Sequence, residues 1–375
     1  MVQTALPALL VGLAAVAAAR NCQNLTIPIT ISARNARFTL QAPANNIEVT
    51  DFTLNLAQPG VNYTAEVLSS NGINGTDGQF ADVSGHYTIG ATYCTPSSGP
   101  GKALQILTHG IAFDRWYWDF SAEYSYVDAA LARGYAVFFY DRLGLGDSSR
   151  GDPVNEVQAP LEVQALRALT AMLRDASAPG IDDTYEKFVH VGHSFGSVLS
   201  YALTAAYPEL SDGVALTGFS QALGDFVAYF LYGANFVEAS SAAPALAAYP
   251  PGYLATADAP GVQTNFFAPG NFDPAVLEAA YAAGQPVTVG ELMTIGTVAA
   301  GSNSFGGPVL VITGERDIPF CGGNCSTSEP SIPAQTRPYF TNTSSFEAIV
   351  VPGAGHGLNL VNTLYLPSWE KAAKL

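Results

Sequence analysis

The sequence predicts an α/β protein: a mostly parallel β-sheet with helices packed on both faces. Three observations carry that expectation. From about residue 97 onward, strand-like and helix-like segments alternate. Several of the strands are continuous apolar runs, as in strands buried on both sides. One of them leads through Gly192-His193-Ser194-Phe195-Gly196 directly into a helical segment.

Taken in order, Ala103-Leu-Gln-Ile-Leu-Thr reads as the first strand of this pattern. Ser121 to Arg133 has helical spacing and stops at Gly134. Tyr135-Ala-Val-Phe-Phe-Tyr is a buried strand. Leu161 to Leu173 places apolar residues at i, i+3 and i+4, which predicts an amphipathic helix. Phe188-Val-His-Val is a strand, followed by a helix from about Ser197 to Ala206. Val214-Ala-Leu-Thr, Val309-Leu-Val-Ile-Thr and Phe346 to Val351 complete the strands, and a last helical stretch precedes the C-terminus.

Two regions depart from the alternation. Asn21 to Pro96 reads as an all-β beginning, with strands at Leu25–Ile31, Val61–Val67 and His86–Tyr93 separated by Asn/Gly turns. About 220–305 is an insertion rich in Ala, Pro and aromatics, with short helices expected. It contains no Lys, Arg or His, but carries Asp225, Glu238, Asp258, Asp273, Glu278 and Glu291. Lying between two sheet strands, it is a cap candidate. The expected organisation is therefore residues 1–20 as a signal peptide, 21–96 as a β-rich extension, and 97–375 as the α/β domain with its cap.

Composition narrows the function. Only 12% of the 375 residues are charged, and the net charge is −16. A nucleic-acid binder would show a basic footprint, and a lipid-surface binder would show Lys/Arg clusters; neither is present. A hydrophobic share of 48% excludes a disordered chain. Ala5 to Ala19 is an apolar run ending in small residues, the pattern of a cleaved export signal. The nearest later candidate for a membrane span, Ala222 to Val237, carries Asp225 and is too short.

Five N-x-S/T sequons, at Asn24, Asn62, Asn74, Asn324 and Asn342, fit an exported chain, and glycans there would solvate a surface poor in charge. The four cysteines allow three connectivities. The expected one is Cys22–Cys94 with Cys321–Cys325. The first would close a loop of about 73 residues and contribute roughly 4 kcal/mol in the chain-entropy model; the second would contribute roughly 2 kcal/mol. No second pair with ligand spacing accompanies Cys321 and Cys325, so a metal site is not expected.

The chemistry concentrates at five places. A Gly-x-Ser-x-Gly turn between strand and helix lifts the Ser194 hydroxyl above the sheet edge and aims the Phe195 N–H at the same point. A serine hydroxyl needs a base to take its proton. His356, in Val351-Pro-Gly-Ala-Gly-His-Gly after the last strand, is the expected base, while His86, His109, His190 and His193 read as structural or loop residues. An imidazole needs an acceptor that fixes its tautomer. Asp317, ending Thr313-Gly-Glu-Arg-Asp, is the expected acid, with Glu315 and Asp225 as rivals. An oxyanion needs preorganised N–H donors; Ile111, after Thr108-His109-Gly110, and Phe195 are expected to supply them. Phe113, Trp116 and Trp118, and Phe226, Tyr229, Phe230 and Tyr232 in the cap, are candidates for a substrate pocket or for core packing.

Together, strand-His109-Gly110, Tyr140-Asp-Arg-Leu-Gly-Leu-Gly-Asp-Ser-Ser, Gly-His-Ser194-Phe-Gly, Gly-Glu-Arg-Asp317 and Gly-His356-Gly resemble the α/β-hydrolase superfamily, over about residues 100–219 and 305–375. The export features resemble its secreted fungal members. The resemblance implies an eight-stranded, mostly parallel sheet, a cap after the sixth strand and no cofactor. It also implies that Asp141 and Arg142 brace loops near the site. Serine at the elbow sets the chain apart from epoxide hydrolases and dehalogenases, which carry Asp there, and from Cys-dependent dienelactone hydrolases. The expected activity is a serine hydrolase acting on neutral, rather apolar carboxylic esters, lactones included. A small-molecule ester is thus the expected partner. Acyl transfer with the same triad, an aminopeptidase using Glu238, Glu278 or Glu291 to hold an amine, and a non-catalytic binding protein are the other classes.

Overall fold

The computed structural model describes residues 20–58 and 80–361. The expected signal peptide, the strand at Val61–Val67, the sequons Asn62 and Asn74, and the last helical stretch lie outside them.

The chain opens on β1 (Arg20–Ala36), an edge strand whose Ile27, Ile29, Ile31 and Ala33 are buried while the residues between them face solvent. Pro28, which cannot donate to a ladder, is tolerated because the strand is an edge. Residues 46–55 correct the all-β reading of this region, because they form helix α1 (Asn46–Asn55). Asn45 Oδ1 caps it by accepting from the amides of Ile47 and Glu48. Only Val49, Phe52 and Thr53 are buried, so its apolar face is too thin to register as a helical period.

Strand β2 (Phe80–Pro96) returns antiparallel to β1 along its whole length. This register sets Cys22 opposite Cys94, and the two are bonded, as are Cys321 and Cys325. The β-rich N-terminal stretch is therefore continuous with the main sheet. Strand β3 (Leu104–Thr108) follows. The helix expected over Ser121 to Arg133 shrinks to α2 (Tyr126–Leu131), because Ser125 Oγ caps it at the Asp128 amide and the preceding residues form a 3-10 turn and a small two-stranded ribbon.

The rest of the alternation is as read, with slightly longer elements: β4 (Ala136–Tyr140), α3 (Ala159–Arg174), β5 (Phe188–His193), α4 (Phe195–Ala206) and β6 (Gly213–Thr217). The cap holds α5 (Leu223–Ala234), α6 (Ala259–Phe266), α7 (Pro274–Ala282) and α8 (Val289–Val298). It also holds a three-stranded antiparallel sheet, Phe236–Glu238, Tyr253–Thr256 and Val287–Thr288, where only helices were expected. Then come β7 (Pro308–Gly314) and β8 (Ser345–Val351). The central sheet runs in the order β1-β2-β4-β3-β5-β6-β7-β8, parallel from β4 onward, so it has the eight strands, and the cap after the sixth, that the resemblance implies.

Cap and core meet at a buried charge cluster. Arg142, following β4, lies fully out of water with its guanidinium bonded to Glu291 of α8 and 3.4 Å from Glu162 of α3. Burial works against the guanidinium charge, but the two carboxylates outweigh it and raise the Arg142 pKa. Glu291 also closes a capping box with Thr288 at the start of α8. One cation faces two carboxylates, and burial pushes Glu162 up to about 8 even though Arg142 pulls it down.

The acidic cap has other structural reasons. Asp258 and Asp273 cap α6 and α7, accepting from the Gly261 and Ala275 amides at 2.8 Å. Glu238 is buried and accepts from the Gly252 amide. The cap's negative balance is thus largely spent on helix starts and one ion cluster, and only Asp225 and Glu278 are exposed carboxylates without such a role among the described residues.

Two predictions follow from this framework. Native Glu162 holds a proton that the unfolded chain releases near 4.5, so its contribution to stability should fall as pH rises from about 4.5 to about 8 and then level off. Urea unfolding of wild type and Glu162→Gln across that window should show their stability difference growing with pH in the variant's favour; a pH-independent difference would contradict it. Replacing both Cys22 and Cys94 by Ala should cost about 4 kcal/mol of unfolding free energy, since their bond closes a long loop; chemical denaturation measures it.

Candidate active site

At the carboxyl edge of the sheet the chain turns from β5 into α4 through Ser194. Its backbone sits at φ 55°, ψ −119°, a left-handed conformation that costs a serine about 1–3 kcal/mol. The turn is held by the Ser194 amide donating to Thr217 O at 2.9 Å. Gly196 is required one helical step on, because a Cβ there would lie 1.9 Å from Thr108 O. The elbow thereby packs directly on the end of β3. Ser194 is largely buried, and its hydroxyl caps no amide of α4.

His356 lies in the loop after β8, fully buried, with Nδ1 donating to Asp317 Oδ2 at 2.5 Å. That bond leaves Nε2 as the basic nitrogen, and Nε2 is buried without a hydrogen-bond partner among the described residues. The Asp317 Oδ1 atom accepts from the Phe320 amide at 2.8 Å, starting the one-turn helix Ile318–Cys321. The Cys321–Cys325 bond closes the loop directly behind this helix.

The rivals of Asp317 have other roles. Glu315 accepts from the Gly353 amide at 2.7 Å and so braces the loop that carries His356. Asp225 is exposed in the first turn of α5. The other four histidines are engaged elsewhere. His86 is exposed and pairs with Thr30. His190 sits between Thr170 and Ser211, with burial lowering its pKa to about 3. His193 ends β5, stacks on Tyr117 and is held neutral by burial and by the nearby His356. His109 is buried directly after β3.

Gly110, the residue before Ile111, and the start of α4 flank Ser194. The Phe195 N–H is among the first of α4, where amides have no intrahelical acceptor. The Ile111 N–H donates to no backbone carbonyl among the described residues. Gly110, its neighbour, packs so tightly that a Cβ there would meet the Ser194 Cβ at 2.7 Å.

The pocket residues scatter. Phe113 is buried against Phe266 and Tyr117. Trp118 is fully buried in the core, whereas Trp116 is partly exposed and packs on Phe139. Phe226 covers Gly322 behind the acid loop, Phe230 packs on Phe236, and Tyr229 and Tyr232 are 56% and 44% exposed. The rings around His356 are His193, at 4.7 Å, Phe266 of α6, at 5.4 Å, and Phe320, stacked at 5.6 Å. Phe320 stands three residues after Asp317, a proximity visible in the sequence; Phe266 gave no such signal, because only folding of the cap brings it to the histidine loop. A separate cavity of about 450 Å³ lies between α5, α8 and the end of α1. Its lining contains no charged residue and none of the aromatics expected to form a pocket.

Comparison with known proteins adds the family. No curated protein matches this chain. Among solved structures, an esterase from Thermogutta terrifontis is 16% identical, with 76% of this chain and 91% of that one covered at a TM-score of 0.47. Epoxide Hydrolase A from Mycobacterium thermoresistibile is 18% identical, with coverage of 76% and 93% and a TM-score of 0.49. A Paleococcus ferrophilus monoacylglycerol lipase is 13% identical, with coverage of 76% and 97% and a TM-score of 0.49. A family model described as "Alpha/beta hydrolase family" matches residues 105–363, most of the chain and every element from β3 to the loop bearing His356, so the protein belongs to the α/β-hydrolase family.

Proposed function

We propose that this protein is an exported serine hydrolase that cleaves neutral, rather apolar carboxylic esters, lactones included. The observation that carries the reading is the buried pair of His356 Nδ1 and Asp317 Oδ2, which frees Nε2 at the sheet edge where Ser194 forms the elbow. Ser194 Oγ attacks the ester carbonyl carbon while its proton passes to His356 Nε2. Asp317 holds the imidazole tautomer and stabilises the imidazolium. The carbonyl oxygen becomes an oxyanion and accepts from the Ile111 and Phe195 amides. On collapse, the carbon–oxygen bond to the alcohol breaks and the leaving oxygen takes the proton from His356. Water, deprotonated by the same nitrogen, then attacks the acyl-enzyme and releases the acid.

Substrate charge follows from the surroundings. The cap has no Lys, Arg or His of its own; Arg142 reaches it from the core buried and engaged by Glu291 and Glu162, while exposed Arg150 and Arg316 touch its carbonyls at Ala248 and Pro269. A substrate carboxylate would find no counter-ion among the cap's own residues, whereas an apolar group suits the rings of Phe266 and Phe320 about His356. Of the carboxylates an aminopeptidase would need, Glu291 and Glu238 are buried in other bonds, which leaves only Glu278 for that reading. Acyl transfer differs only in the acceptor that replaces water. Export is supported by the apolar N-terminal run, two disulfides and exposed sequon residues at Asn24, Asn324 and Asn342. No helix among the described residues is long and apolar enough to cross a membrane.

Ser194→Ala should abolish turnover and fluorophosphonate labelling, Asp317→Asn should lower kcat by roughly 10⁴-fold, and Glu315→Gln should affect kcat far less. Full hydrolysis by Ser194→Ala would overturn the mechanism. On an ester panel, kcat/KM should favour neutral alkyl esters over analogues bearing a free carboxylate, and product analysis with added alcohols or amines separates hydrolysis from transfer. Preference for the anionic analogues would sink the substrate assignment.

A further inference from the structure

The peptide unit joining Gly110 to Ile111 is held from one side by groups that take no part in the chemistry above. His109 Nδ1 lies 2.9 Å from the Gly110 carbonyl oxygen. The other ring nitrogen, Nε2, accepts from the Arg142 backbone amide at 3.1 Å. An amide N–H only donates, so Nε2 bears no proton, and the neutral ring carries its hydrogen on Nδ1. Nδ1 therefore donates to Gly110 O. Burial, and after it the Arg142 charge, holds the His109 pKa well below its usual value, so this tautomer persists. The Arg142 Nη2 atom stands 3.5 Å from the same oxygen, and its guanidinium lies 4.6 Å from the Phe195 ring centroid.

A trans peptide is planar, with its C=O and N–H pointing in opposite directions. Drawing Gly110 O toward His109 and Arg142 therefore turns the Ile111 N–H away from them. The chain just beyond is fixed as well, at the Ala112–Phe113 peptide. Ala112 adopts φ 71°, and its carbonyl accepts from the Gln285 amide of the cap at 3.0 Å.

We propose that His109, backed by Arg142, is a positioning residue for the oxyanion hole: it locks the Gly110–Ile111 peptide so that the Ile111 N–H, and not the Gly110 carbonyl, faces the reacting oxygen. The inference rests on the roles given above to Ser194 and Ile111. A flipped peptide would put a carbonyl dipole against the developing negative charge. The lock matters most when that charge forms, so its loss acts on the transition state more than on ester binding.

The test uses the full-length protein with four variants. His109→Phe keeps a ring without the donor. His109→Asn restores a donor close to the position of Nδ1, and His109→Leu matches Asn in shape without donating. Ser194→Ala is the control. The readouts are kcat and KM on a preferred ester, and affinity for two inhibitors. One is a trifluoromethyl ketone, which adds to Ser194 and leaves an oxyanion in the hole; the other is an uncharged ether analogue of the ester. Loss of the donor should lower kcat and ketone affinity by roughly 10- to 100-fold, less than removal of a donor outright, while KM and ether affinity stay within about twofold. His109→Asn should recover most of that loss. If His109→Phe does not fold, the Asn–Leu pair carries the same comparison. Wild-type kcat and ketone affinity in the donor-free variants would overturn the lock, as would a parallel fall in ether affinity or equal activities of the Asn and Leu variants. An active Ser194→Ala would instead overturn the reading of the site itself.

Discussion

A guanidinium fully removed from water must be surrounded by compensating groups, and much of this molecule is arranged around one. Arg142 takes Glu162 from the helix after β4, Glu291 from the last cap helix, the Phe195 ring from the start of the nucleophile helix, and the field of the Gly110 carbonyl. Separating Arg142 from Glu291 would leave a buried charge uncompensated, which typically costs about 3–5 kcal/mol. Cap, sheet and the loop from His109 to Ala112 are therefore not independent parts. The cap is seated by the same cation that stands behind the loop offering Ile111.

The charge inventory takes on a different meaning in that light. Six carboxylates without a cation over the site looked like an electrostatic screen. In the fold, Asp258 and Asp273 start helices, Glu238 is tied to a backbone amide, and Glu291 serves both the capping box and Arg142. What remains unengaged on the cap among the described residues is Asp225 and Glu278 at its surface. The rings of Phe266 and Phe320 make the surroundings of His356 apolar.

The loops bearing the candidate triad are each fixed by a neighbour with no chemical role of its own. Glu315 anchors the His356 loop through the Gly353 amide, Phe320 donates its amide to Asp317, and Thr217 holds the Ser194 elbow. Such supports keep a buried polar site at a single geometry, since every displaced partner would be left unpaired out of water.

Several features were fixed by local chemistry and could be read along the chain. Ser194 between two glycines after a buried strand, Asp317 past the seventh strand and His356 in a glycine loop past the eighth stand out by their place after sheet strands, and Ser194 also by a backbone conformation that few residues adopt. The alternation of strands and helices likewise sufficed for the sheet. Other features depended on which distant segments meet. Glu315, the rival two residues from Asp317, is set aside by its bond to the Gly353 amide while Asp317 bonds His356. Helix α1 has too narrow an apolar face to be recognised without the surface it packs on. His109 looked like a loop residue until its ring was found between Gly110 O and the Arg142 amide. The sequence by itself determined the order of elements and the kinds of groups available, because both follow from periodicity and backbone sterics. The tertiary structure decided which groups face one another, because a hydrogen bond or ion pair between residues far apart in the chain exists only once the fold has removed the water between them.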